Sequence, residues 1–286
     1  MELINIYPEL HYLNNMAQQL IGYRSTWIEK LARFGYISKG IVYSIVGLLA
    51  AQVAFGSGGK TTDTQGALQT IVSQPFGKFL LALVAIGLIG YVILRFVQAI
   101  KDPENKGTDA KGLAQRIGYA INGFIYAGLA LSAVRIVLGN SNSASTNSTQ
   151  DWTARLLSQP FGQWLVGTIG ALTIGLGFYE FYQAFSAKFR RHLNLSELDD
   201  SERKLVMGIS RFGLLARGIV FCIIGWFLIQ AATLSDASKA GGLDLALQTL
   251  AQQPYGPWLL GIVALGLIAY GIYMVIQARY RHVMTR

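Results

Sequence analysis

Polar and mixed residues up to about position 30 give way to six long apolar runs, each followed by a shorter polar stretch. The runs cover 37–55, 79–100, 117–138, 163–185, 214–233 and 258–278. A helix needs about 20 mostly apolar residues to cross the hydrocarbon core of a bilayer, and each run is long enough. Backbone groups in lipid must be satisfied within the segment, so the expected fold is all-α and polytopic, with six transmembrane helices. Ahead of the first run, Tyr12, Leu13, Met16, Leu20, Tyr23 and Trp27 recur at helical spacing. That pattern predicts an amphipathic helix over 1–30, lying on the membrane surface or on the bundle.

The runs come in pairs that repeat one unit. Ser73-Gln74-Pro75-Phe76-Gly77 recurs as Ser158-Gln159-Pro160-Phe161-Gly162 and, with Tyr for Phe, in Gln253-Pro254-Tyr255-Gly256. A Gln-Ala pair follows each Gln at 24 residues: Gln98-Ala99, Gln183-Ala184 and Gln277-Ala278. Each unit opens with Arg-x-Gly at Arg33, Arg116 or Arg211, and 41, 43 or 42 residues separate that Arg from the Gln. This register predicts internal duplication: repeat 1 over 31–103, repeat 2 over 114–188, a charged linker over 189–208 and repeat 3 over 209–286. Each unit crosses twice, so the copies share one orientation, and a pseudo-threefold arrangement of parallel repeats is expected.

Charge fixes the expected topology. Of the 24 Lys and Arg residues, Lys60, Lys78, Arg135, Arg155 and Lys239 fall on one face, and the remaining 19 fall on the face holding both termini. That count includes Arg95, Lys39 and Arg217, read as lying at helix ends. The positive-inside rule then places both termini in the cytoplasm. The net charge of +9 points to anionic headgroups, not to nucleic acid, because the basic residues flank apolar spans. Met1-Glu2-Leu3 lacks the basic region of a cleaved signal.

Candidate sites follow from residues that lipid disfavours. Arg95 and Glu180 stand 21 residues after their respective Gln, at one depth, where they can either snorkel to the interface from a helix end or pair across a repeat boundary; Met274 is the third equivalent. With Gln98, Gln183 and Gln277 they form a candidate polar intramembrane site. Pro75, Pro160 and Pro254 are expected in the first turn of each returning helix, where the missing N–H is harmless. Gln74, Gln159 and Gln253 could ring an outer vestibule. Gly40 and Gly47, Gly123, and Gly218 and Gly225 recur at one face of the odd spans, as in a helix-packing seam.

Other signals are weak. Residues 54–61 resemble a relaxed phosphate-binding loop, but they follow a span and fall on the outer face. Asn147-Ser148-Thr149 is a glycosylation pattern in a small polar loop. One cysteine, Cys222, cannot make an internal disulfide. His11, His192 and His282 lie outside the spans, so neither a metal nor another cofactor is expected. Lys188, Arg190, Arg191 and His192 suit a headgroup anchor, or with Glu197, Asp199, Asp200 and Glu202 a solvated charged loop.

Arg33-x-Gly, Lys39-Gly40-x-x-Tyr43, Gly66-Ala67-Leu68, Gln74-Pro75-Phe76-Gly77 and Gln98-Ala99 together resemble the bacterial membrane family catalogued as domain of unknown function 1206. The resemblance implies three two-helix units in an integral membrane protein and supplies no activity. The middle copy departs from it most, with Asn122 where the others have Lys39 or Arg217. Mitochondrial carriers also have three two-helix repeats, but their prolines close the odd helices, and here proline opens the even ones. The expected function is a non-enzymatic auxiliary or scaffold component that associates with membrane lipids or membrane-protein partners. The alternative is a small-solute or ion transporter using polar sites between repeats.

Overall fold

The computed structural model describes residues 7–140, 148–193 and 198–280. Among them the chain is helical, and six helices are long and apolar enough to cross a membrane. α1 (Tyr7–Ala54) contains the first span and is followed by a short α2 (Thr64–Val72) and the second span α3 (Gly77–Lys101). The same order recurs in α4 (Ala110–Val137), α5 (Ser148–Leu157) and α6 (Gly162–Ser186), and in α7 (Asp200–Leu234), α8 (Leu243–Ala251) and α9 (Gly256–Tyr280). The N-terminal stretch is helical from Tyr7 and enters the first span without a break. The side chains before Glu29, and so the amphipathic face expected there, lie outside the described residues.

The repeated Gln-Pro-aromatic-Gly word is a tight turn between a short helix and a span. The Gly77 N–H donates to the Gln74 carbonyl at 2.8 Å, Gly162 to Gln159 at 2.9 Å, and Gly256 to Gln253 at 2.7 Å. Proline is therefore the first central residue of the turn, where its fixed φ is an advantage. It is not in the first helical turn, as the sequence suggested, because the helices begin two residues later. The second central residue is left-handed: Phe76 at φ 59°, Phe161 at 63° and Tyr255 at 62°. These rings are 85%, 83% and 81% exposed, at the end of the span where aromatic belts form. The glycine that follows is required by close approach. A Cβ on Gly77 would lie 2.4 Å from the Ile71 carbonyl oxygen, on Gly162 2.2 Å from that of Leu156, and on Gly256 1.9 Å from that of Ala251.

Helix packing follows the repeats, with one departure. The first span of each unit packs on the second span of another: α1 on α9, α4 on α3 and α7 on α6. Within units, α1 packs on α3 and α7 on α9, but α4 and α6 do not pack extensively on one another. The middle unit thus departs from the threefold pattern expected of equivalent repeats. One glycine position shows why. A Cβ on Gly35 would lie 2.6 Å from the backbone N of Tyr91, and on Gly213 2.5 Å from that of Tyr270, yet the equivalent Gly118 has nothing within 4 Å. The partner at that place in the middle unit is Leu176, which is 54% exposed.

The short connections fix where the spans enter. Asp63 caps α2 by accepting the Gly66 N–H at 2.8 Å. Its burial, with Asp244 nearby, raises the pKa of its carboxyl above the usual carboxylate range. On the opposite face, Asp102 accepts the N–H groups of Lys106 and Gly107, each at 2.8 Å, and these bonds hold its carboxyl below that range. Arg116 donates to the Ala99 and Ile100 carbonyls at 2.9 and 3.0 Å, closing the C-terminal end of α3 and tying α4 to it.

Two outcomes are expected. Gly77→Ala should cost about 1–3 kcal/mol through overpacking, read as a lowered Tm in detergent, whereas Gly175→Ala, at an open position, should not. Asp63→Asn removes a carboxylate whose charged form folding disfavours, so its Tm gain over wild type should grow as pH rises through and above the carboxylate range. Tm curves that stay parallel across pH would contradict the cost assigned to Asp63.

Candidate functional site

Six residues past Arg33, about 9 Å further along α1, Lys39 lies inside the bundle. It is 2% exposed and lies within the helix, not at the helix end where the charge count placed it. Its ammonium donates to the Tyr91 hydroxyl at 3.1 Å. It also stands 4.7 Å from the Tyr126 ring centroid, 4.9 Å from Tyr91, 5.6 Å from Tyr270 and 5.9 Å from Tyr43. These rings come from α3, α4, α9 and α1, so all three units contribute to one cage. Aromatic faces attract a cation most where water is absent. Tyr43 and Tyr270, and Tyr91 and Tyr126, also meet edge to face, with centroids 4.9 and 4.8 Å apart.

Two further cations flank the cage. Arg95 donates to Tyr91 Oη at 2.6 Å and to Gln98 Oε1 at 2.8 Å. Its guanidinium lies 4.7 Å from the Tyr91 centroid and 5.3 Å from that of Tyr119. Arg217 occupies the repeat position of Lys39, lies 4.8 Å from the Tyr270 centroid, and donates to Glu180 Oε1 at 2.5 Å. The Arg95–Glu180 pair read from equal depth is therefore not formed. α6 packs on α7 and not on α3, which gives Glu180 to Arg217.

The other candidates divide by depth. Gln98 is buried and donates to Glu104 at 2.8 Å, and Tyr119 donates to the same carboxylate at 3.0 Å. Gln277 is buried and donates to Tyr273 at 2.5 Å, while Gln183 is half-buried. Gln74, Gln159 and Gln253 are exposed at the far ends of the spans, away from the charges. The glycines lie at helix contacts: Cβ atoms on Gly40 and Gly47 would meet the Gly271 and Ala264 carbonyls, each at 2.7 Å. Those on Gly218 and Gly225 would meet the Gly177 and Gly170 carbonyls at 3.0 and 2.6 Å. Gly123 meets the Phe96 ring at 3.3 Å, a looser contact.

Among the described residues the remaining motifs form no comparable site. Gly59, Lys60 and Thr61 line a cleft of about 390 Å³ beside α8 together with Asp244, whose carboxylate does not suit phosphate. The side chains of His11, His192 and His282, and Asn147 of the glycosylation pattern, lie outside the described residues. The signal for the Lys39 cage was present in the sequence. A basic residue recurs six places after the unit's Arg in two copies, four before a Tyr or Phe.

The geometry repeats with the sequence, and so does the family signature. The model of the family described as Domain of Unknown Function (DUF1206) matches three times, over 34–102, 117–187 and 212–281. The chain belongs to this family. It is 40% identical over 271 residues to the "Uncharacterized protein YxxB" of Bacillus subtilis (strain 168), covering 95% of this chain and 96% of that one. No solved structure matches. The family signature and the six spans make this a multi-pass membrane protein.

The Arg217–Glu180 pair can be tested directly. Breaking a buried pair leaves one uncompensated charge, so Glu180→Met or Arg217→Met should cost about 3–5 kcal/mol, and the double variant should recover most of it. Thermal unfolding of all four proteins checks this. Single variants as stable as wild type would show that the pair does not hold α6 to α7.

Proposed function

We propose that this protein is a non-enzymatic membrane component, auxiliary or scaffolding in role, which associates with lipids and membrane-protein partners through the open side of its bundle. The observation supporting this reading is the exposure of the middle unit. Only 33% of the most apolar window of α4 and 22% of that of α6 are buried inside the bundle, against 61% for α9. Large side chains such as Phe124, Ile125, Leu172 and Phe178 point outward. Gly128 on α4 and Gly175 on α6 face open space, where a partner helix could approach closely. The proposed topology has both termini in the cytoplasm, from the Lys and Arg distribution, in a bacterial inner or internal membrane. The same reading includes no nucleic acid.

Transport of a small solute or ion is the second reading, favoured by the charges buried around Lys39. The exposure of Gln74, Gln159 and Gln253 at the far ends of the spans weighs against it, and the cleft that Gln74 lines with Ser38 and Ile41 includes none of Lys39, Arg95 and Arg217. Solute uptake by proteoliposomes that disappears in a Glu180→Gln, Arg95→Gln variant would favour transport.

Purification in a gentle detergent tests the leading reading. Wild-type protein should carry lipid or protein companions, and Gly128→Leu with Gly175→Leu should lose the protein companions while keeping the wild-type Tm. A wild-type chain that emerges bare would defeat the reading. Protein companions retained unchanged by the double variant would remove this face as their site.

A further inference from the structure

Positive charge at the centre of the bundle exceeds what the surrounding groups neutralise. Lys39 and Glu180 are buried and Arg95 and Arg217 are partly buried in one neighbourhood; Glu180 already serves Arg217, and Glu104 meets the cluster through Gln98 and Tyr119. Tyr91 Oη accepts from both Lys39 and Arg95, so two cations are held against one oxygen. Like charges this close repel strongly in a low-dielectric interior. Tyrosine faces offset part of that cost, and a bound anion would offset more.

The unused hydrogen-bonding capacity points the same way. Arg95 spends Nη1 on Gln98 and Nη2 on Tyr91, and its buried Nε–H has no partner. The buried Nε–H of Arg217 has none either. A guanidinium Nε–H edge is half of the fork that takes an oxyanion side-on. The Lys39 ammonium has three hydrogens and one described acceptor, Tyr91 Oη. Glu180 Oε2 and Asn122 Oδ1 are buried acceptors without donors, and Asn122 stands at the repeat position of Lys39 and Arg217. A phosphate that also carries a donor, either its own O–H or a headgroup hydroxyl or ammonium, has the chemistry that complements both sets.

Access is suggested by the same helices. α4 supplies Tyr126 to the cage and α6 supplies Glu180, yet the two helices do not pack extensively on one another. We propose that this cluster binds a phosphate group reaching it between α4 and α6, with Lys39, Arg95 and Arg217 as its ligands. The phosphate belongs to a phospholipid headgroup or is free in solution. In its lipid form the proposal rests on the association reading above and assigns that association a site.

Two arms separate the sources. Native mass spectrometry of protein released from detergent counts retained phospholipid. Delipidated protein is titrated with inorganic phosphate against chloride at matched ionic strength, with Tm as the readout. Lys39→Gln and Arg95→Lys, the second keeping charge but losing the Nε edge, should each weaken binding about tenfold or more, the scale of one charge-assisted hydrogen bond. Arg155→Gln, on the outer face, should not. Helicity by circular dichroism and monodisperse elution establish folding, and if Lys39→Gln fails there, Arg95→Lys carries the test. Loss in the lipid arm identifies a headgroup, and loss in the phosphate arm a free anion. Folded wild type that binds in neither arm, or binding unchanged in the folded variants, overturns the site. Lipid retained equally by wild type and both variants, with phosphate binding unchanged as well, removes the site while leaving the association reading standing.

Discussion

Lys39 is buried inside the bundle, where its ammonium group is shut off from solvent. Tyrosines from three units take the place of that solvent, with one hydroxyl and four ring faces around the charge. Charge at membrane depth is tolerated when the protein supplies its partners, and here those partners come from distant parts of the chain. Tyr126 lies 87 residues from Lys39 and Tyr270 lies 231. Satisfying one side chain therefore orients α1, α3, α4 and α9 together. Arg217 and Glu180 impose the same requirement on α7 and α6.

Glycine sets how closely the helices can approach to meet that requirement. Where α1 meets α9 and α7 meets α6, the backbones leave no room for a Cβ at Gly47 or Gly225. At the third such contact, Val92 and Ala85 stand where the second spans of the other units have Gly177 or Gly271 and Gly170 or Ala264. That interface is looser and closes on rings, with Phe96 and Phe124 meeting edge to face at 5.1 Å. The middle unit then loses its own internal contact, since Gly118 faces nothing and Leu176 replaces a tyrosine. Small changes in residue size thus turn three similar units into a bundle with one open side.

Much of the architecture was legible in the chain. Six spans follow from apolar length, and three units from the spacing of Arg-x-Gly, Gln-Pro-aromatic-Gly and Gln-Ala. Local chemistry was less legible. Proline can precede a helix or start it, and only the turn geometry places Pro75 before the start of α3. Lys39 and Arg217 lie less than two helical turns inside their unit's Arg, a depth from which a long side chain can either snorkel or stay buried. The tyrosines decide between these, and their convergence depends on which helices touch. The Arg95–Glu180 pairing failed for the same reason, because equal depth does not make two residues neighbours around a ring.

The divergence of the copies has its own physical logic. Three identical cations at equivalent positions around one axis would repel each other in a medium that screens poorly. In this chain one such position holds Lys39, Asn122 and Arg217, and another holds Arg95, Glu180 and Met274. The substitutions replace one cation by an amide and another by a carboxylate, which creates complementarity that an unchanged triplication would lack. Arg217 gains Glu180 as a partner, while Lys39 and Arg95 are left with phenols and amides. Duplication supplied the frame, and unequal substitution at two repeat positions made the buried centre chemically distinct from any single unit.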